Sequence, residues 1–177
     1  MTRSEVLRRV VHVLIGAGAY LVPLIGVKAA LVLGIVAIPA NAWLLPHLPG
    51  LRSVVRADGT GRHAIWLYPL ACAILLAVFY EQPRFAQAGW LALGFGDGLA
   101  PFVALVVGGP TWPWCARKRI LVSFVAALIG GVATLPVLTL AGAAAVAAAG
   151  FVADSLPVED NLSWPFFAAA AAWIAGG

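Results

Sequence analysis

The sequence predicts an all-α protein, a polytopic transmembrane helix bundle of about seven spans with its amino terminus in the cytoplasm. Composition supplies the first reason: 63% of the 177 residues are hydrophobic and only 10% are charged, where a soluble domain carries about 25% charged residues. The second is a series of apolar runs near membrane-crossing length, and the third is an uneven distribution of basic residues between the loops that join them. A soluble enzyme, a disordered tail and a nucleic-acid binder are excluded. The formal charge of +4 lies at the ends of apolar runs, where it reports orientation. At about 20 apolar residues per span the helices use nearly the whole chain, so residues 1–177 read as a single integral membrane domain.

The apolar runs are Val10 to Val27, Ala29 to Leu45, Ala64 to Tyr80, Phe85 to Val107, Ile120 to Leu135, Val137 to Ala153 and Trp164 to Gly177. Arg3, Arg8, Arg9, then Arg52, Arg56, Arg62, then Arg117, Lys118 and Arg119 fall on one side, against Lys28 and Arg84 on the other. The positive-inside rule makes the first side cytoplasmic. A basic start ahead of Ala17-Gly18-Ala19 has elements of a signal peptide, but the apolar run continues and another follows directly, so it reads as a span. Residues Ile120 to Ala153 have to supply two helices around Pro136. The last run is short, reaching only about 20 Å from Pro165. The alanine-rich stretch Ala143 to Gly150 suits close helix packing. Two cysteines, Cys72 and Cys115, make no disulfide framework.

Six of the seven acidic residues, all but Glu81, fall on the cytoplasmic side with the basic ones. A transporter would instead keep polar groups near the midplane and show repeat symmetry. Asp97 lies 12 positions after Phe85, at a depth of about 18 Å, so it is an intramembrane carboxylate. Such a group faces the bundle interior and meets a cation, a metal or water. Gly96 and Gly98 beside it let backbone or ligand come close; a glycine packing face around a protonated Asp97 is the other reading.

Glu5, Arg8, Arg9 and His12 share one arc of the first helix at i, i+3, i+4 and i+7. That arc fits phosphate binding, and its arginines fit lipid headgroups equally well. The loop Gly108 to Arg119 ends in Arg117-Lys118-Arg119, with Ser123 one turn into the next helix. An anion there would gain from side chains and free N–H groups together; the same residues also serve as an orientation signal. The last loop puts Asp154, Glu159, Asp160 and Asn161 within eight positions. Hard oxygen donors of this kind suit Mg²⁺, which takes one or two carboxylates and completes its shell with phosphates and water. Capping by Asp160 or Ser163 is the plainer reading. No Walker A pattern, zinc-ligand spacing or G-x-S-x-G is present.

In order along the chain stand Glu5-x-x-Arg8-Arg9-x-x-His12, Leu67-Tyr68-Pro69-Leu70, Gly96-Asp97-Gly98-x-Ala100, a Trp-Pro and basic stretch, and Asp160-Asn161-Leu162-Ser163-Trp164-Pro165. This series resembles the membrane CTP-dependent lipid kinases, which include phytol kinase, dolichol kinase and the CTP-using diacylglycerol kinase and are related to the phosphatidate cytidylyltransferases. Ala104 stands where the family usually has glycine, and Lys118 to Ser123 lacks the family's glycine before the serine.

The resemblance implies a kinase of the inner membrane that uses CTP and Mg²⁺ at the cytoplasmic face to phosphorylate an isoprenoid alcohol such as phytol or another polyprenol. The alternative is a cytidylyltransferase that joins a lipid phosphate to CTP as a CDP-lipid. Asp97 and Asp160 would hold Mg²⁺, and either would accept the hydroxyl proton. Lys118 with Arg117 would neutralise phosphate charge and Asn161 would complete the site. Glu5, Arg9 and His12 would line the pocket, His12 close to the chemistry. Arg8, Gly96, Gly98 and Ser123 complete the expected phosphate-binding set.

Overall fold

A computed structural model describes residues 1–44, 47 and 62–176; Leu45, Arg52, Arg56, Asp58 and Gly177 of the expected spans and charge clusters lie outside the described residues. The helices are α1 (Arg3–Ala17), α2 (Val22–Ile25), α3 (Val27–Pro39), α4 (Arg62–Val78), α5 (Pro83–Leu91), α6 (Gly98–Val106), α7 (Ile120–Ala133), α8 (Leu140–Ser155) and α9 (Asp160–Ile174). A 3₁₀ turn over Gly18–Leu21 joins α1 to α2, and π turns cover Ala40–Leu44 and Ala92–Asp97. The chain is thus an α-helical membrane-type bundle. Three helical runs, Arg3–Ile25, Val27–Leu44 and Pro83–Val106, are long and apolar enough to cross a membrane, and Ile65–Val78, Ile120–Ala133 and Leu140–Ser155 are shorter apolar helices.

Two features depart from the expected elements. Between α6 and α7 the expected loop contains an antiparallel hairpin, β1 (Thr111–Trp112) with β2 (Cys115–Arg119), in the register Thr111 to Arg119 and Trp112 to Cys115. Hydrophobic periodicity cannot register so short a pair, because it is fastened by side chains from elsewhere. Trp112 stacks on Trp114 and leans on Phe151 of α8, and Trp114 Nε1 donates to the Ser155 carbonyl at 2.7 Å. The helix ends also differ: α1 begins at Arg3 rather than Val10, and α9 at Asp160 rather than Trp164. Polar first turns are excluded from an apolar run but make good helix starts. Thr2 caps α1 by accepting from Glu5 N–H at 3.3 Å, while Glu5 Oε2 accepts from Thr2 N–H at 2.6 Å.

The helix breaks have local causes. Gly26 takes φ +83° between α2 and α3, a conformation that glycine adopts without a Cβ penalty. Pro83 opens α5 at its first turn, where no N–H is required. The π turn over Ala92–Asp97 is an α-helix widened by one residue, a distortion frequent at functional sites. It leaves Pro83–Val106 one continuous helical run while changing the direction in which Asp97 projects.

Small residues make the closest helix contacts of the core, and Trp164 is its largest fully buried side chain. Hydrocarbon tails are as apolar as leucine, so helix association in a bilayer rests on close packing rather than on removal of surface from water. Gly16 of α1 meets Gly94 of the π turn so closely that a Cβ on either would overlap the other's Cα. Trp164 of α9 is fully buried, and its ring lies against Gly96, Gly130 and Gly150, from the π turn, α7 and α8. Ala126, Ala168 and Ala172 belong to the same buried cluster. Leu24, Val36, Val106, Leu140 and Ile174 are exposed, as lipid-facing residues are.

A methyl group added against the Trp164 ring should therefore be felt. Gly96→Ala and Gly150→Ala are each expected to cost about 1–3 kcal/mol by overpacking, read as a fall of several degrees in thermal unfolding in detergent. Gly108→Ala, with nothing within 4 Å of an added Cβ, should leave the midpoint unchanged.

Candidate active site

The structure draws polar residues from α1, the π turn, β2, α7, α8 and α9 around one cavity of about 430 Å³, lined by Arg9, Asp97, Arg117, Lys118, Arg119, Ser123, Asp154 and Asp160 among others. Ala104, on the α6 side, also lines it. Asp97 is the last residue of the π turn, and its carboxylate accepts from Arg9 Nη1 at 3.2 Å. The same guanidinium nitrogen donates to the Asp97 carbonyl at 3.3 Å. His12 Nε2 stands 3.5 Å from Asp97 Oδ2 and 3.3 Å from the Leu93 carbonyl, which can only accept, so Nε2 carries a proton. The i, i+3 spacing of Arg9 and His12 thus brings both onto one carboxylate. Their side chains and that of Asp97 are 13–17% exposed, so the charge is compensated where lipid would otherwise make it expensive.

The second half of the site is centred on Lys118. Its ammonium donates to Asp160 Oδ1 at 2.5 Å and to the Leu156 carbonyl at 3.4 Å, and stands 3.7 Å from Asp154 Oδ1. Burial is the largest single influence and opposes the Lys118 charge, but the Asp160 and Asp154 carboxylates together raise its pKa. Asp160 sits in the first turn of α9, ahead of the apolar run. Burial, with Asp97 adding like charge, pushes it up to about 7 against the pull of Lys118. The two carboxylates therefore act on one another across the cavity. Neither capping role expected for the last loop is formed, since the N-cap of α9 is Glu159 and makes no side-chain cap bond.

Asp154, one of the oxygen donors of the last loop but outside the set that the resemblance implies, is the buried centre of this half. Its carboxylate accepts from Ser123 Oγ and from Trp164 Nε1, the latter at 3.2 Å. Ser123 Oγ also accepts from Trp112 Nε1 at 3.2 Å, and the Arg119 carbonyl, 3.0 Å away, is a second acceptor within reach of its single proton. The available signal was a single acid at the end of an otherwise alanine-rich helix, which reads equally well as a loop boundary.

Other expected site residues have different placements. Glu5 closes the capping box of its own helix and does not line the cavity, because its backbone partner Thr2 is three residues away and satisfies it. Gly96 and Gly98 do not line it either. Gly96 accommodates Trp164, and a Cβ on Gly98 would meet Val13 and His12, so both glycines serve helix contact. Ser123 lines the cavity but its hydroxyl is engaged with Asp154. Asn161 donates to Glu159 Oε1 at 2.9 Å, and its buried Oδ1 has no partner among the described residues.

A second, larger space of about 1210 Å³ opens from the same charges. Arg9, Asp97, Arg117, Lys118 and Asp160 line both. Arg8, His12 and Asn161 stand at its polar end, from which it continues between α1, α3 and α4 past Ile15, Leu21, Leu33, Cys72 and Leu76. From Arg8 to Ile25 the lining spans about 25 Å of helix, most of a hydrocarbon core.

The charges fit a divalent cation in donor type. Asp97 and Asp160 provide hard oxygen ligands within electrostatic reach of each other, although among the described residues no three His, Cys, Asp or Glu side chains converge as a metal group. Mg²⁺ requires only one or two carboxylates when phosphates and water supply the rest.

No protein-family model and no solved structure matches the chain. It is 32% identical over 197 aligned positions to a phytol kinase of Synechocystis sp., an alignment covering 98% of this chain and 80% of the relative. An alignment of that extent spans the segments that form both halves of the site and the groove, and the chain belongs to the membrane CTP-dependent lipid kinase family.

Proposed function

We propose that this protein transfers the γ-phosphoryl group of CTP, with Mg²⁺, to the hydroxyl of an isoprenoid alcohol such as phytol, at the cytoplasmic face of the inner membrane. The observation that carries this reading is the sharing of Arg9, Asp97, Arg117, Lys118 and Asp160 by a small polar cavity and a long apolar groove. Phosphoryl transfer to a lipid needs a charged pocket open to water and a hydrocarbon-lined channel that meet at one point. A bilayer alcohol entering the groove sideways would bring its hydroxyl to that point.

Phosphoryl-transfer catalysis is mostly positioning and charge stabilisation. Asp97 and Asp160 are the residues to hold Mg²⁺, which when bound offsets negative charge on the phosphoryl oxygens. Arg9 and Lys118, paired with those carboxylates in the structure, would turn toward the triphosphate as it binds, so each ion pair exchanges one partner for another. Arg117, exposed at the shared rim, adds a further cation. The acceptor proton passes to a carboxylate, Asp97 or Asp160, as the hydroxyl oxygen bonds to phosphorus and CDP departs. Asp154 keeps Lys118 and Ser123 in place from behind.

Purified protein in lipid vesicles with Mg²⁺, phytol and CTP labelled at either the α- or the γ-phosphate should move only γ-label into the lipid phase. Entry of α-label from a lipid phosphate would establish the cytidylyltransferase instead. Asp97→Asn is expected to abolish transfer while the protein still folds in detergent, and retained full activity would remove Asp97 from the site. Lys118→Met should reduce kcat/KM for the nucleotide at least a hundredfold, since a charge-assisted contact and the pairing of two carboxylates are lost together, with Lys118→Arg recovering part of it.

A further inference from the structure

One polar feature of the groove is not used by the chemistry above. Tyr68, on α4, is buried at 6% exposure. Its hydroxyl has no hydrogen-bond partner among the described residues, nor has Trp90 Nε1 on α5. The two atoms are close neighbours outside hydrogen-bond geometry, and both residues line the groove. The Tyr68 ring meets the His12 imidazole edge-on, with centroids 4.6 Å apart. Its hydroxyl lies over Gly94, where an added Cβ would stand 3.2 Å from it. Asp97 is near enough to act on it electrostatically.

Two adjacent buried polar groups with no partner among the described residues are unusual, because most such groups are bonded. An indole N–H can only donate, and a phenol can donate or accept. Together they suit one oxygen atom bearing both lone pairs and a proton. A pure hydrocarbon would leave them unsatisfied, whereas an alcohol would not. The notch lies about one to two helical turns from Asp97 along the π turn and α5, on the groove side of the charges, where the head of a lipid would halt before the polar cavity.

Resting on the kinase reading for the identity of the lipid, we propose that Tyr68 and Trp90 form the binding notch for the hydroxyl oxygen of the acceptor, selecting a long-chain alcohol over hydrocarbon. The Trp90 N–H donates to that oxygen. The Tyr68 hydroxyl donates to the other lone pair and the alcohol proton faces the polar cavity; that second hydrogen bond is released when the lone pair bonds to phosphorus. Gly94 is part of the arrangement, because a side chain there would push the phenol away.

The test uses full-length protein in detergent without nucleotide and two tritiated probes, phytol and the matching hydrocarbon phytene. Wild type should bind phytol about tenfold more tightly, the value of one hydrogen bond to a buried group. Tyr68→Phe and Trp90→Phe, which keep the rings and remove the polar groups, should each reduce that preference severalfold. In vesicles, both should raise the KM for phytol with the KM for CTP unchanged, a separation that general loosening of the fold would not give.

Equal binding of phytol and phytene by wild type, or a preference that survives both substitutions, would overturn the notch whether or not the protein transfers phosphate. Loss of the preference in the variants, in a protein that moves no γ-label to any alcohol, would uphold the notch and sink the kinase reading. Normal γ-transfer with an unchanged phytol KM in both variants would do the reverse.

Discussion

The buried indole of Trp164 is the contact on which the rest of the structure depends. Its ring lies against glycines from three other segments, and its N–H donates to Asp154. In a soluble protein such a ring would be held by removal of surface from water. In a bilayer the gain comes from dispersion contacts and from satisfying the N–H, so the glycines matter as much as the tryptophan. From Asp154 the connection continues through Ser123 to the hairpin tryptophan and through Lys118 to Asp160. Packing at the centre of the bundle is thereby coupled to the position of charges at its edge.

Those charges are arranged so that each carboxylate has a donor. Asp97 has Arg9 and His12, Asp160 has Lys118, and Asp154 has Ser123, Trp164 and Lys118. Unpaired, each would be costly at the edge of a hydrocarbon medium. Paired, they form a set of ion pairs that a phosphate-bearing ligand can enter by exchange. Asp97 and Asp160 are held near enough that burial and mutual repulsion raise the Asp160 pKa even with Lys118 in contact, an electrostatic strain that a divalent cation would relieve. The site thus holds both signs of charge, as recognition of a metal–triphosphate requires.

The groove solves a different physical problem. An acceptor from the bilayer has to present its one polar atom to a charged cavity without drawing its tail through water. A lining of Ile15, Leu21, Leu33 and Leu76 keeps the tail in an apolar medium. The residues shared by both spaces mark where the two media meet.

Much of this was readable in one dimension. Long apolar runs and a scarcity of charge determine that the chain is helical and membrane-embedded, because hydrocarbon demands internally bonded backbone. The motifs around His12, Asp97, Lys118 and Asp160 mark the family, and the fold gathers those residues. Sequence could not assign Gly96 and Gly98, since a glycine kept small for a neighbouring ring looks the same in sequence as one kept small for a ligand. Nor could it select Asp154 over Glu159, because what distinguishes them is burial against Ser123 and Trp164, which come from other helices. Glu5 shares the arc of Arg9 and His12 yet serves the helix start, a choice made by the nearest backbone donor. Residue type and local spacing determined which chemistry was possible; the tertiary structure decided which groups take part, because a buried polar atom takes its role from the partners packing brings within reach.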